Sequence, residues 1–205
     1  ALHRSTDAGK TWTPIDGLDK VNTTPLPMLR RKDGTILGAS RWTTLQPDGS
    51  LTGKTTYLDA QATKFTQVES RIHLPDEFIP VNPASDVVIF ERHIFHEDDG
   101  SINAVCWSRR MHRLADGRPD TVRSSHLLKT TDQGKTWNHV STIGRGGEPA
   151  VARLSATEMT AVIRGNETTQ MTQTFSHDAG RSWDQAIPLE EGRVAPDLVL
   201  MSNGV

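Results

Sequence analysis

One octet occurs three times in this 205-residue chain, as STDAGKTW (Ser5–Trp12), TTDQGKTW (Thr130–Trp137) and SHDAGRSW (Ser176–Trp183). The copies share the pattern Ser/Thr-x-Asp-x-Gly-x-Thr/Ser-Trp, which three unrelated segments do not produce by chance. Recurrence of one short motif along a chain is typical of repeat architectures. The sequence therefore predicts several copies of one supersecondary unit.

Each position of the octet suits a tight turn between two antiparallel strands. The aspartate can accept backbone N–H bonds from its own turn, and the glycine adopts a positive φ at low steric cost. The tryptophan provides a large apolar anchor for the following strand. These predicted structural residues are Asp7, Gly9 and Trp12, Asp132, Gly134 and Trp137, and Asp178, Gly180 and Trp183.

Further turn signals alternate with the octets and predict an all-β chain. Two-residue hairpin signals occur at Asp33-Gly34, Asp99-Gly100 and Asn203-Gly204. A fourth turn, without glycine, is expected near 155–158. The segment YLDAQATKF (Tyr57–Phe65) looks like a decayed octet, with Asp59 at the acid position. No segment has a helical period, and we interpret the polar segment 112–123 as a surface loop.

The octet resembles the Asp box, or bacterial neuraminidase repeat, of the sialidase family. This resemblance implies a six-bladed β-propeller in which the boxes lie at outer turns. Residues 1–205 would form one propeller domain truncated at both ends, with boxes at 5–12, 130–137 and 176–183 and the decayed box at 57–65. About four blades would be present. Such an open arc is expected to leave edge strands exposed.

Composition excludes several classes of partner. The formal net charge is −2, with 23 basic and 25 acidic residues, so no basic face for nucleic acid is expected. No apolar run approaches the length of a membrane span. The single cysteine, Cys106, lies in an apolar run and is expected to be a buried thiol rather than half of a disulfide. No metal or other cofactor is expected, and the sequence leaves the oligomeric state open.

Repeat alignment nominates the residues that would face a shared pocket. Arg41 and Trp107 each follow a turn aspartate by eight residues, and Arg164 has the matching position in the repeat without the glycine. Glu91 and Glu148 stand about eight residues before their turns. Equivalent positions of a propeller converge on its axis, so we predict these five residues to line one site.

The family resemblance assigns roles to two of the five. Glu148 and Arg164 are sixteen residues apart, similar to the spacing in sialidases. The resemblance implies that Glu148 is the carboxylate that activates a tyrosine nucleophile, and that Arg164 is one of three arginines holding the carboxylate of the sugar. Arg41, Glu91 and Trp107 would bind substrate. The only tyrosine, Tyr57, lies in the decayed box, so the nucleophile is expected in a later blade.

The resemblance thus implies an exo-acting, retaining glycoside hydrolase for a terminal acidic sugar of a glycoconjugate, located outside the cell or in a periplasm. Two alternatives stay open at this point. The first is a non-catalytic propeller that binds glycans or proteins, because fold does not determine function. The second is a polysaccharide lyase acting on uronates, in which a histidine or tyrosine abstracts the α-proton.

Overall fold

β-Strands provide nearly all of the regular structure in the computed structural model, which describes residues 3–15, 25–82, 86–113, 116, 119–165, 170–189 and 195–201. Within these residues a single 3-10 turn occurs, at Asp76–Phe78. The strands are β1 (His3–Arg4), β2 (Thr13–Pro14), β3 (Pro25–Arg30), β4 (Ile36–Ser40), β5 (Thr44–Leu45), β6 (Leu51–Leu58), β7 (Phe65–His73), β8 (Val87–His96), β9 (Ile102–Arg113), β10 (Pro119–Thr130), β11 (Thr136–Arg145), β12 (Gly147–Arg153), β13 (Met159–Arg164), β14 (Thr172–Ser176) and β15 (Ile187–Pro188). The predicted all-β class is confirmed.

The strands form three successive antiparallel meanders of four strands each. The first is β3-β4-β6-β7, the second β8-β9-β10-β11 and the third β12-β13-β14-β15. The short strand β5 adds to β6, and β1 pairs with β2 alone. Each meander thus repeats one unit.

The first two meanders join into one nine-stranded sheet that nearly closes on itself, like a barrel. Parallel pairing of β7 with β11 links their last strands. Their first strands, β3 and β8, lie beside each other, and a bridge joins Trp42 to Ile89. β12, the first strand of the third meander, packs against β8 and β9. The first strands of all three units therefore lie close together.

The turn signals occupy equivalent places in successive meanders. Asp33-Gly34 connects β3 to β4 and Asp99-Gly100 connects β8 to β9, with positive φ at Gly34 and Gly100. The turn at 155–158, between β12 and β13, uses the Ser155 hydroxyl in place of a glycine, because it accepts the N–H groups of Thr157 and Glu158. Asn203-Gly204 lies outside the described residues.

Two of the boxes and the decayed box lie at the turn between the third and fourth strands of a meander. The boxes at 130–137 and 176–183 connect β10 to β11 and β14 to β15, while the box at 5–12 connects β1 to β2. The segment 57–65 connects β6 to β7, and Asp59 accepts the N–H and hydroxyl of Thr63. A box aspartate makes the same pair of contacts.

Each box is held by its aspartate and by its first hydroxyl. Asp178 accepts the N–H and hydroxyl of Ser182, at 2.8 and 2.6 Å, and Ser176 Oγ accepts the N–H of Gly180. In the first box the hydroxyl of Thr11 and its N–H lower the pKa of Asp7 to about 2. The residue before the glycine also has a positive φ, although it is alanine or glutamine.

The boxes dock against the preceding meander. The carbonyl of Gly134 accepts the hydroxyl of Thr55 in β6, and the carbonyl of Gly180 accepts that of Ser141 in β11. Trp137 is fully buried in the core between the first two meanders. Trp12 departs from the expected anchoring role, because it is 61% exposed and no described strand packs over it.

The interpretation of segment 112–123 as a surface loop is wrong for residues 112–113 and 119–123, which belong to strands. β9 continues to Arg113 and β10 begins at Pro119. The two strands pair without a break, from Pro119 opposite Arg113 to Thr130 opposite Ile102. Pairing between β9 and β10 satisfies the backbone N–H and C=O groups of the paired residues, so polar side chains can be part of these strands. This longer strand β10 places Arg123 opposite Arg109, and both arginines line the candidate site described below.

Two apolar clusters fill the spaces between the meanders. Cys106 lies in the cluster shared by the first two units, where burial raises the pKa of its thiol and keeps it protonated. The second cluster joins the second and third units through Val105, Leu127 and Ile163. Among the described residues there is no helix long and apolar enough to span a membrane.

His177 of the third box gives a pH-dependent prediction. Its ring contacts Glu158 at 2.6 Å and Asp184 at 3.1 Å, and these hydrogen bonds raise the pKa of His177 above its ordinary 6.5. A group whose pKa is raised by folding stabilises the folded state fully at pH below its unfolded-state pKa. This contribution disappears as the pH rises through its folded-state pKa. We expect His177→Gln to lower the Tm at about pH 5.5 and to leave it unchanged at about pH 9. Equal effects at both pH values in thermal denaturation would contradict this linkage.

Candidate active site

Glu148 and Arg164 form an ion pair at the wall of a cavity. Glu148 is the second residue of β12 and Arg164 is the last residue of β13. Arg164 Nη1 donates to Glu148 Oε1 at 2.5 Å, with 37% and 24% of the two side chains exposed. A half-exposed pair contributes little to stability. Both groups are within reach of a ligand.

An irregular backbone aims Glu148 into this position. Glu148 has a φ of +50°, within a bulge that interrupts β12–β13 pairing between Gly147 and Ala150. Gly146, two residues before Glu148, has a φ of +124°, and a Cβ there would lie 2.7 Å from the carbonyl oxygen of Arg164. Bulges re-aim side chains at functional sites, and a left-handed glutamate is a strained conformation that such sites tolerate.

Trp107 and Glu91 form the buried base of the site. The indole of Trp107 packs against Gly147 and donates to Glu91 Oε1 at 2.8 Å. Burial raises the pKa of the Glu91 carboxyl, the Trp107 hydrogen bond and the Arg41 charge oppose this rise, and the negative charge of Glu148 adds to it. Glu91 thereby fixes the orientation of the indole.

Arg41 stands at the exposed margin of the group. Its guanidinium lies 5.8 Å from the ring centre of Trp42, and its backbone carbonyl accepts the N–H of Phe90 in β8. It interacts electrostatically with Glu91. The structure thus brings Trp107, Glu148 and Arg164 to one cavity, with Glu91 beneath and Arg41 to one side.

Two adjoining cavities extend the site. The smaller, of about 240 Å³, is lined by Trp107, Arg109, Arg123, Gly147, Glu148, Arg164 and Gly165. The larger, of about 420 Å³, is lined by Asp120, Thr121, Val122, Arg123, Arg145, Gly146, Arg164, Gly165, Gln170 and Thr172. Arg123, Arg164 and Gly165 belong to both. Cationic side chains from four strands therefore surround one continuous opening.

Sequence reasoning missed Arg109, Arg123 and Arg145. Arg109 lies two residues after Trp107 on β9, so the alternation of a strand places it on the same face. Arg123 pairs with Arg109 across β9 and β10, but assigning its segment to a loop hid that neighbour. The period-two rule could have found Arg109, whereas Arg145 is brought in only by the tertiary structure.

The described residues contain no group of three His, Cys, Asp or Glu side chains that could hold a metal ion. His93 Nε2 lies 3.1 Å from Asp197 Oδ1, and burial lowers the pKa of His93 despite that carboxylate. The absence of a cofactor stays a prediction.

Comparison with solved structures gives relatives for the fold. The structure of Hadza microbial sialidase Hz136 superimposes with a TM-score of 0.62 at 17% identity, covering 92% of this chain and 40% of that protein. The fold resembles part of a sialidase. A protein of unknown function from Dyadobacter fermentans DSM 18053 superimposes with a TM-score of 0.68 at 21% identity, covering 98% of this chain and 61% of that one. No family model matches the sequence, and no curated protein matches it.

The chain therefore spans less than two thirds of either structure. At these identities the similarity concerns the fold alone. The nature of the site rests on the geometry of its own residues.

Proposed function

We propose that this chain is part of a six-bladed sialidase-like propeller, in a retaining exo-glycoside hydrolase that removes a terminal acidic sugar. The three meanders would be consecutive blades, since each has four antiparallel strands and a box, or its decayed form, at the turn between its third and fourth strands. The first strands β3, β8 and β12 lie close together, as inner strands around an axis would.

The observation that carries the proposal is the Glu148–Arg164 pair at a cavity walled by further arginines. A guanidinium binds the carboxylate of an acidic sugar through a planar pair of donors. Arg164 would hold that carboxylate together with arginines outside this chain. Glu148 would take the proton of a tyrosine hydroxyl that attacks the anomeric carbon.

Tyr57 does not supply this nucleophile. Its hydroxyl donates to the carbonyl of Gln133 at a box turn, away from Glu148. The proposed reaction therefore takes its tyrosine from a part of the protein beyond these 205 residues.

The decisive test is hydrolysis of a fluorogenic sialoside by the complete protein. We expect Glu148→Gln to lower kcat by about 100-fold or more, because loss of a proton acceptor costs about 10²–10⁴. Glu69→Gln, on the exposed face of β7, is the matched control and should keep full activity. Wild-type protein without turnover, or a Glu148→Gln variant as active as the control, would refute the hydrolase.

A glycan-binding protein without catalysis is the second candidate. The cavity presents several guanidinium groups but no tyrosine among the described residues. Binding of acidic glycans on an array, without turnover, would favour this candidate. A uronate lyase would, like the hydrolase, need a tyrosine from outside the described residues, and no described histidine lines either cavity to act as its base instead.

A further inference from the structure

We propose that the larger cavity is a second anion subsite, which takes a sulfate or carboxylate on the sugar next to the terminal one. This proposal rests on the proposed function for the identity of the terminal sugar. It extends that function to a substrate class, glycans with acidic groups on two adjacent sugars. The anionic group would lie between Arg123 and Arg145, beside the Glu148 cavity.

The position of the cavity follows from how β10 and β11 pair. The last pair between β10 and β11 is Ser124 with Arg145. The earlier residues of β10, from Pro119 to Arg123, pair with β9 only. The backbone of Arg123 still faces β11, because its carbonyl accepts the N–H of Gly146. By the alternation of an antiparallel strand, the N–H and C=O of Thr121 face the same way. Thr121 lines the cavity, and β11 offers its backbone groups no strand partner there.

The charges of the cavity favour an anion. Arg123 and Arg145 have no side-chain hydrogen bond or ion pair among the described residues. The cavity also contains one carboxylate, Asp120, near the free end of the hairpin, and the Arg164–Glu148 pair. Two unpaired guanidinium groups outweigh the single unpaired carboxylate.

Arg123 lies directly opposite Arg109 of β9, which lines the smaller cavity. The polar side chains of Thr121, Gln170 and Thr172 supply hydrogen-bonding groups for sugar hydroxyls.

The size of the cavity agrees with one further sugar unit. At about 420 Å³ it lies within the range of small-molecule sites, about 300–1,000 Å³. It shares Arg123, Arg164 and Gly165 with the Glu148 cavity. A ligand can therefore extend from one cavity into the other without leaving the protein surface.

The test compares the affinities of four probes for the complete protein in a Glu148→Gln background, which slows hydrolysis. The probes are 3′-sialyllactose, its 6′-sulfated form, α2,8-disialyllactose and 6′-sulfolactose. We expect Arg145→Gln to weaken the three probes that place a charge in the larger cavity by about tenfold, the value of one charge-assisted hydrogen bond. In 6′-sulfolactose, which lacks the terminal acidic sugar, this charge is the sulfate on its own terminal galactose. Affinity for 3′-sialyllactose should stay unchanged, since Arg145 lies outside the smaller cavity.

Controls separate this subsite from general charge effects and from the hydrolase proposal. Arg181→Gln removes an exposed positive charge at the third box and should change none of the four affinities. Weakening of the sulfated probes alone identifies a sulfate subsite, and weakening of disialyllactose alone identifies a carboxylate subsite. Equal loss for 3′-sialyllactose, or no loss for any probe, would overturn the subsite.

The failure of each proposal has its own signature. A subsite that persists in a protein without Glu148-dependent turnover leaves the binding proposal standing and refutes only the hydrolase. If turnover depends on Glu148 but Arg145→Gln changes the affinities for all four probes equally, only the subsite is refuted.

Discussion

Replacement of Trp137 by alanine is expected to lower the free energy of unfolding by about 3 to 5 kcal/mol, the cost of truncating a fully buried aromatic side chain. Trp137 has no exposed surface and meets Phe90 edge-on, with 5.5 Å between ring centres. Its indole nitrogen has no hydrogen-bond partner in the structure. Trp137→Phe keeps most of the apolar contact and should recover most of the loss. Urea denaturation gives both values.

Trp12 is the matched control, because it occupies the same position of the first box. It is 61% exposed, and its indole donates only to the nearby carbonyl of Gly9. Trp12→Ala should change the free energy of unfolding by no more than about 0.5 kcal/mol, as is usual for surface substitutions. Equal losses at the two positions would show that the octet itself, rather than its packing, determines stability.

Replacement of Gly180 by alanine is expected to destabilise the chain by about 2 to 5 kcal/mol. A positive φ of +80° costs alanine about 1–2 kcal/mol. The new Cβ would also lie 2.4 Å from Leu127 Cδ2 and 3.2 Å from Met159 Sδ, in a filled core. Overpacking of this kind adds about 1–3 kcal/mol. Chemical denaturation of the variant measures the sum.

Gly9 separates the two contributions. Its φ is +86°, but the nearest atom to a new Cβ is in Trp12 at 3.8 Å, an ordinary contact. Gly9→Ala should therefore show the conformational cost alone, about 1–2 kcal/mol. If Gly180→Ala is no worse than Gly9→Ala, the third box does not dock tightly against the second meander.

Together these pairs test why one sequence motif has different energetic roles. The boxes at 130–137 and 176–183 dock against a preceding meander through Thr55 and Ser141, whereas the box at 5–12 has no such contact among the described residues. Local chemistry forms the same turn in all three places. Stability then depends on what each turn packs against.

The candidate site was predictable only in part. Glu148 could be nominated because it matches Glu91 of the preceding repeat, and Arg164 because it matches Arg41 and Trp107. The structure joins Glu148 and Arg164 in an ion pair. Arg123 could not be nominated, since a polar segment between two strands has the composition of a loop. Pairing with β9 makes it a strand. A strand register depends on long-range partners that no short window of sequence contains.

The sequence by itself determined the turns and their order, because an Asx-type turn and a positive-φ glycine depend on residues a few positions apart. It thereby predicted an all-β chain with a recurring unit. Only the tertiary structure decided that β3, β8 and β12 lie together, that Trp137 is buried while Trp12 is exposed, and that Arg123, Arg145 and Arg164 surround one opening. These outcomes depend on packing and charge between residues far apart in the chain, whose proximity is set by the whole fold.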